Sequence, residues 1–143
     1  MLLSFTNHKS TYQIQCVNLE TDGYVILKIW DNKKGSKYIL EQAYKDAIDA
    51  ILFSGLASEK DCLSQPPLLN EQSEKDKFKK IQKKFFSKKG KWSIFAKNAN
   101  TETILPTNLG IENWKIYQVS ISKNELRKYL EEQKIIKSLN NGF

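Results

Sequence analysis

A single amphipathic stripe limits what this chain can become. Leu40, Ala43, Tyr44, Ala47, Ile48, Ile51 and Leu52 recur at spacings of three and four, with Lys37, Glu41, Lys45, Asp46 and Asp49 opposite. A helix from about Lys37 to Ser54 must therefore bury one face. Gly55 follows, supplying the left-handed position that commonly ends a helix. A polar stretch then leads to Cys62 and Gln65-Pro66-Pro67-Leu68-Leu69, where two prolines hold the backbone extended between apolar anchors. Helix and loop read as one module without recognisable reaction chemistry.

The elements around this module follow from period and punctuation. Residues 1–10, which include the only histidine, His8, have little pattern and read as a flexible arm, leaving 11–143 as a single domain. Tyr12 to Leu19 alternates as a strand, Asp22-Gly23 is a hairpin signal, and Tyr24 to Trp30 is a nearly continuous apolar run, expected to be central and covered on both faces. Ser36 is expected to cap the first helix. From Asn70 to Lys91 a second, very basic helix places Phe78, Ile81 and Phe85 on one face, with Gly90 ending it. Trp92 to Ala96 alternates as a third strand, Asn98 to Asn113 reads as a long connection, and Trp114 to Ser122 is the fourth strand. Ser122 and Glu125 match a capping box for a last helix buried through Leu126, Tyr129 and Leu130, and the tail from Ile135 is expected to dock. The fold class is α+β: an antiparallel or mixed sheet of about four strands packed on three helices, in the order β-β-α-α-β-β-α.

Charge narrows the partners. The chain carries 23 Lys plus Arg against 16 Asp plus Glu, a net +7, which favours acidic partners: nucleic acid, anionic lipid or an acidic protein surface. Only Arg127 among the basic residues is arginine, and bidentate recognition of guanine or phosphate prefers arginine. Cys16 and Cys62 lie too far from other ligand-type residues to suggest zinc. They pair in an oxidising compartment or stand as two buried thiols, the latter being the preferred reading. No stretch approaches the roughly 18 apolar residues of a membrane span, and Met1-Leu2-Leu3-Ser4-Phe5 is too short for a signal peptide.

Reaction chemistry is poorly supplied. One histidine in an arm gives no nucleophile–base pair, Gly35-Ser36-Lys37 lacks the order of a phosphate loop, and Asp46 with Asp49 reads as the solvated face of a helix rather than a catalytic pair. The expectation is a non-enzymatic protein without cofactor or metal. The best binding signal is the basic helix with its aromatics, where Lys79, Lys80, Lys83, Lys84 and Lys88 offer charge and Trp92 or Phe86 an exposed ring; Pro66 and Pro67 offer a second surface. A small nucleic-acid-binding domain using Lys75 to Lys97 is the alternative reading, since lysines neutralise phosphates and rings stack on bases.

Several stretches carry a resemblance. The run Ala43-xxx-Ala47-xx-Ala50-Ile51-Leu52-Phe53-Ser54-Gly55, the Cys62-xx-Gln65-Pro66-Pro67-Leu68-Leu69 loop, Phe85-Phe86, Leu126-Arg127-Lys128-Tyr129-Leu130 and Ile135-Ile136-Lys137-Ser138-Leu139 look like an uncharacterised family of small bacterial envelope proteins, often lipoproteins. Its layout is similar to the α+β modules of TolB-like and flagellar accessory lipoproteins. The resemblance implies an accessory or scaffold module of an envelope assembly, located in the periplasm or at the outer-membrane periphery and binding a protein partner. A chain complete as written would instead stay in the cytoplasm.

Overall fold

Alternating side chains make the first hairpin of the sheet. In the computed structural model, which describes residues 11–19, 23–58, 62–104 and 115–138, β1 (Tyr12–Leu19) runs antiparallel to β2 (Tyr24–Asp31). A bulge between Cys16 and Asn18 shifts their register. The other edge of β2 pairs with β4 (Ile116–Ser122), and β3 (Ala96–Ile104) pairs with β4. All pairings are antiparallel, in the order β1-β2-β4-β3. The β2 strand is central as expected, but it is covered on one face only. Val25, Leu27 and Ile29 are buried while Tyr24, Ile26, Lys28 and Trp30 remain half-buried, the alternation that an antiparallel sheet with helices on one side produces.

Three helices complete this α+β fold: α1 (Leu40–Asp49), α2 (Gln72–Phe85) and α3 (Lys123–Glu132). The first helical stretch is broken where the sequence predicts one run. A 3-10 turn spans Gly35–Lys37, Tyr38 is extended, α1 begins at Leu40, and a π-helical turn covers Ala50–Ser54. Tyr38 explains the break. Its ring is fully buried, its hydroxyl donates to Asp46 at 2.8 Å, and its carbonyl accepts from the Tyr117 hydroxyl at 2.8 Å. Ser36 does not cap, because α1 starts four residues beyond it with Ile39 at the N-cap; in the preceding turn the backbone amides of Lys33 and Lys34 donate to the buried Asp31 carboxylate, each at 2.9 Å.

Capping also moves elsewhere. At α2, Glu71 and Glu74 form a reciprocal capping box. At α3, Ser122 makes no side-chain cap, and the amides of Lys123 and Asn124 donate to the Gly23 carbonyl in the hairpin turn, at 3.0 and 3.4 Å. Helix α2 ends at Phe85, ahead of Gly90, and Lys91–Ile94 forms a 3-10 turn where a strand is expected. The cause is Trp92, which is buried and donates its indole N–H to the Ser87 carbonyl at 2.7 Å. Strand β3 then extends into the stretch expected to be a connection. After α3, Lys134 adopts a left-handed conformation, and the Ile135 amide donates to the Leu130 carbonyl at 2.9 Å. Ile135 and Ile136 are thereby buried, so the tail docks as expected.

One cluster of buried side chains joins the helices to the sheet, including Val25, Leu27, Ile29, Ile48, Ile51, Leu52, Phe78, Phe85, Val119, Ile121, Leu126 and Leu130. Phe78, Phe85 and Phe86 meet edge-on, a favoured arrangement of aromatic quadrupoles. The preferred reading of two free thiols is overturned: Cys16 and Cys62 form a disulfide with their Cα atoms 6.2 Å apart. Both lie at the buried edge of the cluster, so residues that look like core thiols on composition are core and bonded. The predicted arm 1–10 with His8, Asp22 of the hairpin signal, Pro106 to Trp114 and Leu139 lie outside the described residues.

Candidate partner-binding surfaces

The loop after the π-helical turn is held at five points. Gly55, with φ +74°, turns the chain out of the turn in a conformation open to glycine but strained for other residues. Leu56 and Gln65 then pair backbone to backbone at 2.8 and 2.9 Å, closing the loop upon itself. Cys62 is bonded to Cys16 on β1. The amides of Leu68 and Leu69 donate to the carbonyls of Ile51 and Leu52, each at 3.0 Å, which supplies partners for carbonyls at a helical end that would otherwise have none. Finally, the Lys123 ammonium donates to the Gln65 side-chain oxygen. Burial, with a smaller contribution from nearby Arg127, holds the Lys123 pKa below the usual lysine value.

These ties bury Leu56, Cys62, Leu68 and Leu69. They leave Leu63 77% exposed beside exposed Ser64 and Pro66, while Pro67 is half-buried. Of the two candidate prolines, then, Pro66 faces solvent and Pro67 serves chiefly to carry the chain back to the core. The sequence does not single out Leu63. Its neighbours give no period that separates an outward leucine from an anchor; only the closure of the loop does so.

The second surface is the outer side of α2 and the turns after it. Lys79, Lys80, Lys83, Lys84 and Lys88 are all exposed, because Phe78 and Phe85 take the inward positions of the helix. Among the described residues none of these five has a carboxylate within ion-pair distance; the ion pairs found are Lys45 with Glu41 and Lys128 with Glu125. Trp92 does not belong to this surface. It is buried beside Tyr44, with the Lys45 ammonium over its ring, and is therefore not the exposed ring expected from the sequence. The residue that emerges in its place is Ile94, 66% exposed between Lys91 and Lys97.

The aspartates of α1 differ from the solvated face predicted for them. Asp46 is half-buried and accepts from Tyr38 and from Gln42, both at 2.8 Å, and Asp49 accepts from Tyr12 on β1 at 2.9 Å. Burial raises the Asp46 pKa above the usual carboxylate value, opposed by those two hydrogen bonds. Burial likewise raises the Tyr38 pKa, reinforced by the charge of Asp46. The two carboxylates act as staples between α1, the Tyr38 segment and β1. Among the described residues no group of three or more His, Cys, Asp and Glu is placed to hold a metal, and no helix is long and apolar enough to cross a membrane.

Comparison with protein families, curated proteins and solved structures gives no match to this chain.

Proposed function

We propose that this protein is a non-enzymatic accessory or scaffold module of a bacterial cell-envelope assembly, which holds a protein partner through the loop from Gly55 to Leu69. The observation that carries this reading is the Cys16–Cys62 disulfide beneath a loop that displays Leu63. Structural disulfides persist in oxidising compartments such as the bacterial periplasm and are rare in the cytosol, which agrees with the envelope resemblance of the sequence. A loop already fixed by backbone bonds and a covalent link loses little conformational freedom on binding. The exposed Leu63 gives such a loop an apolar contact for a partner.

Two measurements test the reading. Protein purified without reductant and then denatured should contain no titratable thiol, since the chain has two cysteines; two free thiols would remove the compartment argument. A pull-down from envelope extracts should recover a partner with the parent protein, and Leu63→Asp should lose it while melting like the parent. Equal recovery by that variant would remove the loop from the interface.

A further inference from the structure

The excess of positive over negative charge in this protein lies in one segment. From Lys77 to Lys97 there are nine lysines and no carboxylate, against a chain total of +7, so the remainder carries a net of −2. The segment covers most of α2 and the turns that lead into β3. Surfaces built for solubility intersperse the two signs, whereas a large field of one sign attracts and orients an oppositely charged partner.

We infer that the face formed by Lys79, Lys80, Lys83, Lys84 and Lys88 docks on an anionic lipid bilayer. Three observations favour a lipid surface over nucleic acid. The segment contains lysine and no arginine, which suits attachment to a diffuse plane of phosphates rather than bidentate recognition of one group. Its large rings are withdrawn, with Phe78, Phe85, Trp92 and Phe95 buried and Phe86 half-buried against Phe78 and Phe85, so they offer little platform on which bases stack. The apolar residue that does face solvent here is Ile94, a contact suited to a membrane interface.

The same packing fixes the mode of attachment. The apolar side of α2 is committed to the core through Phe78 and Phe85, so the helix rests on the headgroups without inserting its apolar stripe. Attachment is electrostatic and reversible by salt, because attraction between exposed charges fades beyond about 8 Å at physiological ionic strength. The inference is independent of the loop and of its partner.

Co-sedimentation of the full chain with lipid vesicles tests it. Vesicles of phosphatidylcholine and phosphatidylglycerol in equal parts should bind the protein, those of phosphatidylcholine alone should not, and added salt should release it. Each lysine neutralised should lower partitioning about fivefold, so Lys79→Gln, Lys80→Gln, Lys83→Gln and Lys84→Gln together should lower it on the order of several hundredfold. An unchanged thermal melt shows that the variant folds. Absence of binding to the anionic vesicles at low salt, or equal binding by the folded variant, overturns the inference. Displacement from those vesicles by short duplex DNA at equal phosphate concentration also overturns it and gives the face to nucleic acid.

Discussion

The loop from Gly55 to Leu69 and the outer side of α2 are both surface features on a shared core, yet they are held in opposite ways. The described residues of the loop have irregular backbone, tied down by a disulfide, a two-bond bridge between Leu56 and Gln65 and two amides donated to Ile51 and Leu52. The lysines of α2 stand on regular backbone, and Lys79, Lys80, Lys83, Lys84 and Lys88 have no carboxylate partner among the described residues. A loop needs external partners for its backbone groups, so its shape depends on distant contacts. A helix satisfies its own backbone and needs the core only for one stripe, which leaves its outer side free to change.

That difference can be broken at three levels. The largest effect should come from Cys16→Ser with Cys62→Ser. The 46-residue separation corresponds, in the chain-entropy account, to a loss of about 4 kcal/mol, read as a lower denaturant midpoint. A double variant as stable as the parent would mean that the hydrogen bonds alone hold the loop. Next is Gly55→Ala, whose Cβ would run into the Gln65 carbonyl oxygen at a positive φ. It should cost about 1–3 kcal/mol and open amide exchange at Leu56 and Gln65 before the rest of the protein. The smallest change belongs to the helix. Replacing Lys79, Lys80, Lys83 and Lys84 individually by glutamine should shift stability by no more than about 0.5 kcal/mol each, and a larger loss at any of them would show that the lysine face is structural.

Most elements were legible because their signals are local. The stripe from Ala43 to Leu52, the alternation of β1, and Phe78 with Phe85 in α2 each repeat within a few residues, and each buries side chains as that repeat requires. The errors fall where a specific hydrogen bond outweighs the local pattern. Ser36 and Ser122 have the composition of caps, but the buried Tyr38 segment moves the start of α1 beyond Ser36, and the Gly23 carbonyl takes the amides of Lys123 and Asn124. Trp92 lies in an alternating run, yet its bond to the Ser87 carbonyl winds that run into a turn. Asp46 and Asp49 occupy polar positions of α1, but tyrosines 38 and 12 reach them from other parts of the chain.

By itself, then, the sequence determined the amphipathic elements, the α+β order and the concentration of lysines between Lys77 and Lys97, because periodicity and charge density are properties of neighbours along the chain. Only the tertiary structure decided that Cys16 meets Cys62, that Trp92 turns inward while Ile94 turns outward, and that Leu63 is the leucine left in solvent. Those outcomes depend on which side chains compete for the same buried space and the same amides. That competition is resolved only when the sheet and helices are packed together.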